Sequence, residues 1–158
     1  MKTKIDRERL AATFTELCEI SSPPKSEAGV AVYLKKRFRD LGADSIYEDN
    51  SAAQTGADCG NLIITFKGNH SVLEGLFLSC HMDTVEPANG VEVVRTGDIF
   101  TSKGDTVLGG DDKSGIAAIL ELVTLLKEDD IPHPTIEIIL TTCEEVGLLG
   151  AKNLEYDR

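Results

Sequence analysis

Three stretches of this chain carry strand-like residues toward side chains that bind metals or move protons. Leu76-Phe77-Leu78-Ser79-Cys80 runs into His81-Met82-Asp83, Thr135 to Thr142 runs into Cys143-Glu144-Glu145, and Ile99 to Thr101 precedes Gly110-Asp111-Asp112-Lys113-Ser114-Gly115. Open α/β sheets gather ligands beyond the carboxyl ends of their strands, because each strand delivers its last side chains to the same rim. A chain that repeats this arrangement is constrained to a layered α/β fold in which the clusters can meet.

The remaining pattern agrees with that class. Leu10, Ala11, Phe14, Leu17 and Cys18 recur at helical spacing between Asp6 and Ile20, with Asp6 suited to the N-cap. Ser21-Ser22-Pro23-Pro24 breaks this helix, and a second one is expected from Ser26 to Leu41, with Val30, Tyr33, Leu34, Phe38 and Leu41 on one face and Gly42 closing it. Strands are predicted at Ser45–Glu48, Asn61–Lys67 and Leu76–Cys80, with Gln54 to Asp58 as loop. Val91–Val94 and Ile99–Thr101 flank Arg95-Thr96-Gly97-Asp98 as a hairpin. A helix over Ser114–Lys127, a buried strand over Thr135–Thr142 and a short helix from Val146 to about Leu154 complete the order. With no repeat or composition break, residues 1–158 read as one α/β domain with a mixed sheet.

Composition narrows the function classes. The 158 residues are 41% apolar and 27% charged, ordinary for a globular domain with a core. A net charge of -11 and a pI near 4.6 exclude nucleic acid and anionic membrane as partners, since both reward clustered Lys and Arg. Most of the acids serve solubility, leaving a few as metal ligands. Cys18, Cys59, Cys80 and Cys143 are widely spaced without a C-x-x-C pair, so reduced thiols in a cytoplasmic protein are expected. Cys80 and Cys143 adjoin the candidate ligands, but their apolar flanks mark them as small core residues rather than zinc ligands or nucleophiles. Met1 to Asp6 lacks the apolar segment of a signal peptide, and no stretch approaches the length of a membrane span.

Each cluster also has an ordinary alternative. His81 and Asp83 are one residue apart, so an extended chain points both to one side, where the carboxylate can accept a ring N–H and make the imidazole a better ligand. A surface histidine beside an acid is equally simple. Asp111 and Asp112 lie between glycines that let a carboxylate approach an ion closely, yet either could cap the following helix. A phosphate loop is excluded, because Asp112 precedes Lys113 where that motif has Gly. Glu144 and Glu145 suit a division between metal binding and proton transfer, or a helix N-terminus that favours acids. Taken jointly, the clusters point to a metal-dependent hydrolase.

These motifs resemble the M20 family of metallopeptidases, above all its peptidase T-like branch of tripeptidases. The likeness rests on Ser79-Cys80-His81-Met82-Asp83-Thr84-Val85, on Leu108-Gly109-Gly110-Asp111-Asp112-Lys113-Ser114-Gly115, and on Thr142-Cys143-Glu144-Glu145-Val146-Gly147-Leu148-Leu149-Gly150-Ala151. The resemblance implies a three-layer α/β/α zinc-exopeptidase-like domain with a mixed sheet, incomplete at the C-terminus. It implies that His81 binds one zinc, Asp111 bridges two, Glu145 binds the other, Asp83 orients His81, and Glu144 acts as general base and acid. It further implies a cis peptide after Asp111 and zincs about 3.5–4 Å apart, which cobalt or manganese could replace. A short peptide is the implied substrate, with N-acylated amino acids or a catalytically silent metal-binding fragment as alternatives. Members of that family are considerably longer, with a further Asp ligand, a His ligand and a lid domain through which a homodimer could form. Asp157, His70 and His133 match none of these motifs, and His133, between Pro132 and Pro134, reads as a surface residue.

Overall fold

A computed structural model describes residues 4–70 and 74–155, so Met1 to Thr3 and Asp157 lie outside the described residues. The chain opens with α1 (Arg7–Glu19) and α2 (Ala28–Asp40), followed by β1 (Ser45–Glu48), the short α3 (Ala52–Thr55) and β2 (Leu62–Phe66). Then come β3 (Leu76–His81), the hairpin β4 (Val93–Thr96) and β5 (Ile99–Ser102), α4 (Gly110–Glu128), β6 (Ile136–Thr141) and α5 (Leu149–Lys152). Asp6 caps α1 as expected, its Oδ1 accepting the N–H groups of Glu8 at 3.1 Å and Arg9 at 3.0 Å.

The sheet is mixed, in the order β1-β2-β6-β3, with β6 antiparallel to β2 and parallel to β3. Its alternation of side chains presents Leu62, Ile64, Phe66, Ile136, Ile138 and Leu140 to one face, where they bury against Leu17, Val30, Leu34, Phe38, Ile116 and Leu120 of α1, α2 and α4. Each such side chain contributes about 1.5–3 kcal/mol on burial. The helices are tied to each other as well as to the sheet. Arg9 of α1 makes a two-pronged bond to the buried Glu121 of α4, at 2.7 and 3.0 Å, and Glu121 also accepts the Asp6 N–H.

Several boundaries differ from the sequence expectation. Gln54 and Thr55, expected in a loop, belong to α3, closed by Gly56 in the left-handed region. The hairpin turn is two residues, Gly97-Asp98, so Arg95 and Thr96 extend β4. The helix after Val146 shrinks to four residues because the chain first makes a turn, with Gly147 and Leu148 at positive φ. His133 is buried rather than superficial, only 5% exposed, because Asn69 receives its N–H and its ring Nδ1 lies 2.7 Å from the Pro134 carbonyl.

Candidate metal centre

Parallel pairing of β3 with β6 sets His81 opposite Thr141, so both strands end on the same rim. Met82 continues the ladder by donating to the Thr141 carbonyl at 2.8 Å, and within the next few residues each chain reaches its acidic side chains, Asp83 after β3 and Glu144 and Glu145 after β6. The crossover between the strands brings in the third cluster. Gly109, at φ +76°, lies so close to Thr84 that a Cβ would stand 2.8 Å from its Cγ2, which seats the start of α4 against the loop after β3. The result is that His81, Asp111 and Glu145 each offer one ligand atom, all within 4.8 Å of one another.

Asp83 is fully buried and joins two sides of this rim. Its carboxylate accepts the backbone N–H of Glu144 at 2.9 Å and of Glu145 at 3.0 Å, while one oxygen lies 3.4 Å from His81 Nδ1. The shorter contact of that ring nitrogen, 2.9 Å, is to the Asp83 carbonyl. The expected carboxylate–imidazole pair is therefore shared between the carbonyl and the carboxylate of the same residue. Burial would raise the Asp83 carboxyl, but the bonds from His81, Glu145 and Glu144 prevail and hold it below the usual range.

The other face of the imidazole points at acids. His81 Nε2 lies 3.1 Å from Asp111 Oδ1 and 4.0 Å from Glu144 Oε2. Burial opposes a charge on the ring, yet bonds to Asp83 and Asp111 and the charges of Asp83 and Glu144 outweigh it and lift the imidazole to about 9. An imidazole nitrogen beside carboxylate oxygens is a donor set that divalent metals use. The Asp111 side chain is 86% exposed, which leaves its carboxylate open to a further ligand. Burial and the charges of Glu144, Asp111 and Asp83 raise the Glu145 carboxyl despite His81, as expected of an acid gathered with others.

The alternatives left open by the motifs divide between neighbours. Asp112 takes the helix-start role, its Oδ1 accepting the Gly115 N–H at 3.2 Å, while Asp111 faces His81 across a cis Asp111-Asp112 peptide. Glu144 and Glu145 both reach the His81 side. Cys143 is a core residue at φ +53°, and Cys80 packs half-buried against the core. His70 and His133 do not join the group.

Sequence reasoning missed Asn61. Fully buried at the start of β2, it accepts the Thr142 N–H at 3.0 Å and donates to the Gly150 carbonyl at 2.9 Å and to Asp49 at 2.8 Å. It clamps both ends of the turn that carries Glu144 and Glu145. The only sequence sign was a polar residue between Gly60 and an apolar run.

Relatives bear on this geometry. The uncharacterised protein YqjE of Bacillus subtilis (strain 168) is 44% identical over 151 residues, which are 96% of this chain and 40% of that protein. The solved aminopeptidase PepT of Bacillus cereus ATCC 10987 superposes with a TM-score of 0.92 at 43% identity, over 96% of this chain and 40% of that one. A tripeptidase from Staphylococcus aureus gives 0.91 at 40% identity, with the same coverage. The chain thus spans about 40% of the length of these relatives. They bear out the peptidase T likeness and the α/β fold; the M20 label drawn from the motifs stays an expectation. The sequence model of peptidase family M28 matches residues 61–157, which contain every candidate ligand, and the chain belongs to that family.

Proposed function

We propose that this chain supplies part of a two-zinc centre that hydrolyses short peptides at a free amino end. The observation that carries the reading is the convergence of His81, Asp111 and Glu145 within 4.8 Å, with Asp83 buried behind them. The names of the relatives, an aminopeptidase and a tripeptidase, support the peptide substrate. His81 would hold one zinc, Glu145 the other, and Asp111 both; cobalt or manganese suits the same donors. A further Asp and His ligand, and a lid domain allowing a homodimer, would come from chain beyond these residues, in keeping with relatives of which this chain spans 40%. Among the described residues no helix is long and apolar enough to cross a membrane, and a cytoplasmic setting agrees with the reduced thiols.

Bound there, zinc would supply Lewis acidity toward the scissile carbonyl and acidify the attacking water. Asp83 and the Asp83 carbonyl hold His81 with Nε2 toward the centre. Glu144, whose Oε2 stands 4.0 Å from that nitrogen, takes the water's proton and returns it to the leaving amine. In the complete polypeptide, Glu144→Gln is expected to lower kcat on a tripeptide by roughly 100- to 10,000-fold with zinc content unchanged. Undiminished turnover in that variant would overturn the assignment, and a preference for N-acetyl amino acids over tripeptides would move the substrate to the deacylase class.

A further inference from the structure

A second group of ligand atoms lies at the start of α2, apart from the peptidase chemistry. Glu27 is fully buried there, its Oε1 accepting the Cys143 N–H at 2.9 Å, while its Oε2 has no hydrogen-bond partner. Facing it are Cys59, 5% exposed, and the exposed Asp58, and one ligand atom from each of these residues lies within 4.8 Å of the other two. Asp58 Oδ1 accepts the Ala28 N–H at 2.9 Å, so the loop and the helix start are already held together.

A buried carboxylate oxygen without a partner costs about 1–3 kcal/mol, and more when the group is charged. The buried cation that feels Glu27, Lys113, spends its ammonium on Ser22 Oγ at 2.6 Å and the Leu17 carbonyl at 3.5 Å. Beside the Glu27 carboxylate lie the Cys59 thiol and the Asp58 carboxylate, while the Cys143 thiol donates to Oε1 at 3.5 Å. Sulfur in the donor set argues against calcium or magnesium, which take oxygen ligands, and for a borderline-soft ion. Exposure of Asp58 leaves an entry path and room for a water as fourth ligand.

We propose that Glu27, Asp58 and Cys59 form a second binding site, for a zinc-class divalent cation, separate from the His81 centre. Binding releases the Cys59 thiol proton to solvent and joins the loop before β2 to α2. Through the Cys143 N–H held by Glu27, it also braces the turn that carries Glu144 and Glu145.

Cadmium is the probe, because its bond to a thiolate gives an ultraviolet charge-transfer band and the His81 centre has no sulfur donor. Titration of the purified protein should develop this band, and His81→Ala should leave it intact. Cys59→Ser should abolish it. Asp58→Asn keeps the oxygen that serves Ala28, so it folds normally, and it should weaken cadmium binding roughly tenfold or more. The proposal is overturned by a band that survives Cys59→Ser, by the absence of a band in the parent protein, or by unchanged affinity in Asp58→Asn.

Discussion

At the residue scale, Asp83 does more than its motif suggested. A carboxylate two residues after a histidine reads as a partner of the ring, yet its two shortest bonds go to the N–H groups of Glu144 and Glu145, 61 and 62 residues away. Asp83→Asn preserves shape but turns a donor toward one of those N–H groups in a fully buried place. We expect a loss of about 2–3 kcal/mol in denaturant unfolding, together with weaker zinc binding by calorimetry. Stability and zinc affinity equal to the parent's would show that the two N–H bonds do not matter.

At the scale of elements, the turn between β6 and α5 is positioned by close backbone approach. A Cβ on Gly150 would stand 2.2 Å from the Thr142 carbonyl oxygen and 2.5 Å from Asn61 Oδ1, neither of which can move without breaking the clamp. Gly150→Ala should therefore cost roughly 1–3 kcal/mol. Gly29 offers the opposite case, since it is helical within α2 and its added Cβ would meet only ordinary contacts, at 3.7 and 4.0 Å. Gly29→Ala should stabilise by about 0.5–1 kcal/mol. Thermal unfolding of the two variants reads the contrast directly, and shifts of the same sign would refute it.

For the molecule as a whole, the buried thiols couple stability to alkaline pH. Burial lifts Cys18 from 9.0 to about 11, although Lys113 pulls it down. The folded state then holds a proton that the unfolded chain releases, so this contribution is intact below pH 9 and is lost as pH rises toward 11. That difference corresponds to about 2–3 kcal/mol. Cys18→Ala should flatten the fall in stability over that window, measured by denaturant unfolding at pH 8 and 11. An identical fall in both proteins would place the coupling elsewhere.

The sequence by itself determined most of the elements and the three clusters that the fold brings to one rim. The N-cap at Asp6, the apolar stripes of α1, α2 and α4, and the three clusters are local signals, set by neighbours a few residues apart. It could also say that Asp111 or Asp112 would cap a helix, but not which. Only the tertiary structure divided those roles, buried His133, and recruited Asn61 to the turn from 81 and 89 residues away. The physical reason is that a polar group's partner is chosen by strand pairing and burial over long separations, such as the 116 residues between Glu27 and Cys143, and such contacts leave no period in the chain.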